Sequence, residues 1–355
     1  MDFGVCVATK IDEVGVVAHA ENLGYTHAWV PDSQMIWSDC YAYLALAAQQ
    51  TRKINIGTGV SIVGTRIAPV TAHSIATINR LAPGRTFLGI GTGNTAQRLM
   101  GQRPVKFAEF EEYTRVLRSL LRGEDVDYTY DERTFNIEFT MRDLGFIDVE
   151  HPIPLHISGF GPRTQRLAGR YGDGLVCSVP PERDFVARAL GQIRRGAENA
   201  GRALPDDFYV SSLSAVALLE TGETLESERI VKSVGPFVMS SVHYIYDKIK
   251  ESGGEPPPHM RSFWKEYCAL VEAEPPSHRH MRVHAGHCTY ILDEEMKFCT
   301  PELIRTTALA GHPDEVLDQV RGLAEAGLDQ LILLPSLESQ YRDFEDFSTK
   351  VMARL

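Results

Sequence analysis

Short apolar runs alternate with amphipathic helical stretches along these 355 residues, and glycines recur where the runs end. That alternation constrains the fold most. A strand followed by a helix returns to the same edge of a sheet, so repeated strand–helix units build a parallel sheet. The apolar runs fall at residues 3–7, 25–30, 54–60, 85–90, 154–158, 174–178, 208–219 and 329–334. Helical patterns separate them: residues 12–23 carry Val14, Val17, Ala18 and Ala20 on one face and stop at Gly24, and Pro69 suits the first position of a helix reaching Leu81. Further helical stretches cover 38–51, 107–122, 162–171, 182–200 and 313–326. Eight such units close into a (β/α)₈ TIM barrel in about 250 residues, and longer chains carry insertions in the βα loops. A doubly wound open sheet has the same periodicity. The expectation is an α/β chain of one domain, residues 1–355, with insertions at about 125–152 and 242–299. The first has a hairpin of its own around Tyr128 and Phe135. The second, with Gly253-Gly254 and Pro256-Pro257-Pro258, reads as irregular and as a candidate lid.

Charge and cysteine usage exclude several function classes. A net charge of −11 opposes nucleic acid or an anionic membrane as the main partner, while leaving room for a local basic pocket. The six cysteines (Cys6, Cys40, Cys177, Cys268, Cys288, Cys299) form no CxxC pair and read as reduced thiols. Neither a signal peptide nor an apolar run long enough to span a membrane is visible, so a cytoplasmic location is expected.

Barrel active sites lie at the carboxyl ends of the strands. Three segments stand there: Trp29-Val30-Pro31-Asp32-Ser33, Gly57-Thr58-Gly59-Val60 and Gly89-Ile90-Gly91-Thr92-Gly93-Asn94. Glycine at a strand end lets the backbone approach a flat ligand, and two clusters at equivalent positions point to a planar cofactor. A fourth segment, Ile157-Ser158-Gly159-Phe160-Gly161-Pro162-Arg163, runs from strand through glycine loop to helix and makes a phosphate cradle. Neither GxGxxG nor GxxxxGK[ST] is present, so NAD and ATP sites are poorly supported. His278, His280, His284 and His287 are read as a solvated loop, because no carboxylate or cysteine has the spacing of a tetrahedral metal site. No metal is expected.

These motifs resemble the luciferase-like oxidoreductase superfamily, and within it the methylenetetrahydromethanopterin reductases. The likeness rests on Gly57-Thr58-Gly59-Val60 with Ala68 to Ile78, on Gly84-Arg85 running into Leu88 to Asn94, and on Leu167 to Gly174. Gly311-His312-Pro313-Asp314-Glu315-Val316 with Leu323 to Gly327 completes it. It covers most of the chain apart from the two insertions. The resemblance implies a flavoprotein or deazaflavin barrel, with a cis peptide at Gly59-Val60 under the ring. It implies Gly91, Thr92 and Gly93 along the ring, Ser158, Gly159, Gly161 and Arg163 at the phosphate, and Cys177 near the isoalloxazine. Two departures matter. Many deazaflavin relatives have Asp-His where this chain has Asp32-Ser33, and the sugar-phosphate dehydrogenases have glutamate at Asn94. Serine and asparagine do not replace an ionisable acid or base at neutral pH.

The first expectation is therefore a two-component monooxygenase. Reduced FMN would come from a separate flavin reductase, and the barrel would shield the oxygen-activated flavin while a small organic substrate is oxidised by O2. The alternative is a deazaflavin-dependent reductase or dehydrogenase of the methylenetetrahydromethanopterin reductase type. A non-catalytic flavin-binding protein is a third reading. Asp32, Ser33, Asn94 and His287 are the candidate catalytic residues, with Trp37 as an apolar substrate wall and Arg66 as a holder of an anionic substrate group. A homo-oligomer, dimer or tetramer, is expected from the resemblance.

Overall fold

Parallel strands close on themselves in the computed structural model, which describes residues 1–178 and 182–355. The strands in the first half are β1 (Asp2–Cys6), β2 (His27–Val30), β3 (Asn55–Ile62), β4 (Thr86–Gly91), β5 (Val126–Tyr130) and β6 (Arg133–Ile137). Those in the second are β7 (Leu155–Ser158), β8 (Gly174–Cys177), β9 (Tyr209–Ser214), β10 (Val216–Leu218), β11 (Leu309–Gly311) and β12 (Gln330–Leu333). Eight of them form a closed barrel in the order β1-β12-β9-β8-β7-β4-β3-β2. Closure comes from β1 pairing with β12, Asp2 opposite Gln330 and Val5 opposite Leu333. An open doubly wound sheet has no such pair, and the TIM-barrel expectation holds.

Both faces of the strands are covered, which is why they read as continuous apolar runs rather than alternating ones. All six residues of β4 are buried. Outward-facing Ala28, Ile56, Leu88 and Leu155 pack under the helices. Inside the barrel, Trp29 and Phe87 lie with ring centroids 4.4 Å apart, and Trp29 Nε1 donates to Gln330 Oε1 at 2.8 Å. Two outer helices touch backbone to backbone: a Cβ on Gly169 of helix Pro162–Tyr171 would stand 1.9 Å from the Ile193 carbonyl oxygen, and one on Gly196 of helix Arg183–Asn199 would stand 2.0 Å from that of Arg166.

The first insertion contains the expected hairpin, β5 antiparallel to β6 with Tyr128 opposite Phe135. The second differs from the expectation. It is helical rather than irregular, and it begins before residue 242, with helices Glu228–Ser252, Arg261–Glu272 and Arg279–Val283. Val231, Val234, Val238, Val242 and Tyr246 make a buried stripe at helical spacing along the first of these. The glycines and prolines that suggest a loop act only at its end, where Gly253 takes φ +72°. The apolar run at 208–219 also divides: β9 stays in the barrel, while β10 leaves it to pair with β11. A single apolar cluster joins Cys6, Trp29 and Val176 of the barrel to Val234, Val238 and Phe298 of the insertion. The insertion is thereby packed onto the barrel. No helix among the described residues is long and apolar enough to cross a membrane.

Two histidines near the amino ends of the strands set an expected pH response. Burial holds His156 down to about 4, with His27 beside it adding to the effect, and burial likewise holds His27 to about 4. Between the ordinary histidine value of 6.5 and about 4, the unfolded chain binds protons that the folded chain refuses. Stability should therefore be complete above that window and fall as pH drops through it, by up to about 3 kcal/mol per histidine. Urea unfolding at pH 7.5 and pH 5 measures this. A flat profile, or one that His156→Gln leaves unchanged, removes the explanation.

Candidate active site

At the carboxyl end of the barrel, β3, β4 and β7 open into a cleft of about 590 Å³. Val60, Ile62, Gly91, Thr92, Gly93 and Asn94 line one side, and Ser158, Gly159, Gly161 and Arg163 line another. The opposing wall is a polar stripe, Tyr244, Lys248 and Glu251, on helix Glu228–Ser252. These three are spaced four and three apart, so they share one helical face. That spacing is the signal by which sequence reasoning could have found them.

Local backbone geometry shapes the floor. The β3–β4 register shifts between Thr58 and Ser61, leaving Gly59 and Val60 outside the ladder, and the Gly59–Val60 peptide is cis, as the resemblance implies. Such an irregularity re-aims a strand end. Gly59 itself belongs to the wall behind the cleft, because a Cβ there would meet Trp29 Cβ at 2.7 Å. At Gly91 a Cβ would meet Val60 Cγ2 at 2.7 Å. Gly93 has φ +75°, a conformation that disfavours other residues, and a Cβ would strike Ile62 Cγ2 at 2.4 Å.

The far end of the cleft suits an anion. Gly161 caps helix Pro162–Tyr171, whose first-turn N–H groups have no partner within the helix. Arg163 stacks on Phe107 with its guanidinium carbon 4.1 Å from the ring centroid. The Gly159 N–H already donates to the Val176 carbonyl at 3.1 Å, so Gly159 contributes shape rather than a donor. Asn94 Oδ1 accepts from Arg98 Nε at 3.0 Å, and Arg98 in turn reaches Glu251 at 2.7 Å and Asp247 at 3.2 Å. This chain of contacts links β4 to the insertion.

Other candidate residues lie apart from the cleft. Asp32 is 2% exposed and accepts from the Ile62 N–H at 3.0 Å and from Arg66 at 2.6 Å. Arg66 also binds Asp39 at 2.9 Å and lies over Tyr41. Its donors are turned to these acids, and the network ties the loop after β2 to the end of β3. Ser33 sits in that loop and its carbonyl accepts from Ile36 and Trp37. Trp37 donates from Nε1 to Thr289 Oγ1 at 2.9 Å, and its ring lies 6.2 Å from His287. Cys177 is buried in the core, bonded to the Ser211 carbonyl at 3.4 Å, with its thiol pushed up to about 12 by burial. It is absent from the cleft lining.

The histidine-rich stretch corrects the expectation of a solvated loop. His278 is exposed, but His284 is 3% exposed because the stretch folds against helix Glu228–Ser252. His287 is held down to about 3, first by burial and then by His284 and His243. A neutral imidazole cannot donate a proton as an acid near pH 7, although it can accept one or bind a metal.

The luciferase-like monooxygenase family matches residues 1–330. An F420-dependent glucose-6-phosphate dehydrogenase of Amycolatopsis mediterranei (strain U-32) is 23% identical over 97% of this chain and 94% of its own length. Among solved structures, a coenzyme F420 dependent tetrahydromethanopterin reductase from Methanopyrus kandleri superposes with a TM-score of 0.71 at 20% identity, covering 99% of each chain. The FMN-bound oxygenating constituent of 3,6-diketocamphane monooxygenase from Pseudomonas putida superposes at 0.67 and 17% identity, covering 100% of this chain and 99% of that one. At such identities the structural likenesses speak for the barrel alone. The family match spans nearly the whole chain, and with the cleft it brings the conclusion that the chain belongs to the luciferase-like monooxygenase family and is an oxidoreductase.

Proposed function

We propose that this oxidoreductase moves a hydride between a deazaflavin, coenzyme F420, and a small organic substrate. The observation that carries the reading is the cleft itself: a wall free of Cβ atoms at Gly91 joined to a helix-start anion site at Gly161. An F420-dependent relative aligned over 97% of the chain supports the deazaflavin over FMN. Under this reading no flavin reductase is needed.

A bound deazaflavin supplies a two-electron hydride centre that resists oxygen. Val60, Gly91, Thr92 and Gly93 flank its ring, and Gly59 keeps the wall flat behind Val60. The Ser158 hydroxyl, the first-turn N–H groups after Gly161 and the Arg163 side chain hold its phosphate, while Gly159 keeps the loop close. Lys248, which has no ion-pair partner among the described residues, adds positive charge at the rim. Asn94, its Oδ1 held by Arg98, lines the cleft. Asp32 with Arg66 fixes the loop that carries Trp37, which stands outside the cleft. With Ser33 and Asn94 at positions where relatives ionise, this chain does not share the sugar-phosphate dehydrogenases' acid–base pair.

Anaerobic titration with reduced F420 and, separately, reduced FMN tests the proposal. F420 should bind at least about tenfold tighter, a difference of roughly 1.4 kcal/mol. Adding oxygen should leave the F420 complex unchanged. Preferential binding of reduced FMN, with oxygen uptake coupled to substrate oxidation, would overturn the reading in favour of the two-component monooxygenase.

A further inference from the structure

Three imidazoles converge inside the insertion where protein groups leave them unsatisfied. His243 stands on helix Glu228–Ser252, and His284 and His287 stand three apart where helix Arg279–Val283 ends. One ring nitrogen from each lies within 4.8 Å of the others. His243 and His284 are 2% and 3% exposed, and neither nitrogen of either ring has a hydrogen-bond partner among the described residues. The same holds for His287 Nδ1, Asp247 Oδ2 and Glu295 Oε1. Leaving one such group buried costs about 1–3 kcal/mol, and native interiors rarely leave several together.

We propose that His243, His284 and His287 form a binding site for one divalent transition-metal ion of the zinc class. Imidazole nitrogens suit zinc, iron(II), cobalt and nickel far better than magnesium or calcium. Metal binding requires neutral rings. Two acids lie beside the rings without hydrogen-bond geometry: Asp247 Oδ2 is 3.2 Å from His284 Nε2, and Glu295 Oε1 is 3.5 Å from His243 Nε2. They place negative charge beside the rings, which favours a dication there. Arg98 Nε lies 3.2 Å from Asp247 Oδ2 and Arg282 Nη1 3.8 Å from Glu295 Oε1, the same oxygens that approach the rings. Zinc ligands at about 2.0–2.1 Å stand roughly 3.4 Å apart in a tetrahedron, so the rings close onto an ion by small side-chain rotations.

Such an ion staples the long helix to the turn carrying His287, whose ring faces Trp37 of the β2 loop. Asp247 also contacts Arg98, so the site adjoins the cleft wall at Asn94. The site is independent of the cofactor, since all three of its ligands stand on the insertion.

The test uses full-length protein purified without a polyhistidine tag. Elemental analysis should find close to one transition-metal ion per chain. After chelation, Co²⁺ should restore that stoichiometry with the visible absorption of a low-symmetry site, and Zn²⁺ should raise the melting temperature by several degrees, as binding to the folded state requires. His243→Ala and His284→Ala should each abolish the Co²⁺ absorption, while His278→Ala in the exposed part of the stretch should retain it. If either variant does not fold, the wild-type titration decides alone. Less than about a tenth of an equivalent in wild type with no Co²⁺ absorption, or metal retained in the folded His243→Ala/His284→Ala variant, overturns the site.

Discussion

Gly161→Leu is expected to lower deazaflavin affinity by at least about 100-fold, roughly 2.7 kcal/mol, in a protein that folds normally. Gly161 has φ −104° and ψ 160°, extended backbone that leucine adopts without strain. A Cβ there meets nothing within 4 Å, and the residue borders the cleft at its anion end. A leucine side chain therefore enters space that the phosphate would occupy. Gly59 and Gly91 are poorer probes, because a Cβ at either lies 2.7 Å from a neighbouring side chain and disturbs the barrel as well as the site. Fluorescence titration paired with a thermal melt separates the two effects. Unchanged affinity in a folded Gly161→Leu protein takes the anion end out of the cofactor site.

Asp32→Ala is expected to remove about 3–5 kcal/mol of stability, because it leaves an Arg66 that is only 18% exposed beside an empty acceptor position. The Ile62 N–H loses its acceptor as well. Asp39→Ala should cost less, about 1 kcal/mol, because its exposed side chain caps helix Cys40–Gln50 by accepting from the Tyr41 and Ala42 N–H groups at 3.0 Å as well as meeting Arg66. Removing both charges in Asp32→Ala/Arg66→Met should restore part of the loss, as expected for coupled neighbours. Urea denaturation reads all of these. An Asp32→Ala protein of wild-type stability that has lost turnover would place Asp32 in the chemistry, as its position after a barrel strand suggests.

The barrel was legible because its strands are buried on both faces and each is punctuated by glycine or proline, so eight apolar runs stand out. Gly91 and Gly161 were legible as residues of the cleft for the same reason: the local chain shows where backbone replaces side chain. The second insertion was legible in place but not in its helices, since Gly253 and Pro256 read as loop while the buried stripe of Val234, Val238 and Val242 lies at or before its expected start. His243 stayed hidden because only tertiary packing brings it to His284 and His287. Arg66 likewise reads as a free cation until Asp32 and Asp39 are seen on either side of it. Cys177 follows the same pattern, near the expected ring position in sequence but turned into the core in space.

The close backbone packing at Gly169 and at Gly196 gives the two sides of the cleft unequal freedom to vary. The helix beginning at Pro162 cannot slide or tilt without driving its main chain into that of its neighbour, so the end proposed to hold an anion is a rigid anvil. The facing stripe, Tyr244, Lys248 and Glu251, rises from a helix of the insertion. Adaptation to a different substrate is thus channelled into one wall, where a single substitution changes the opening without moving the grip.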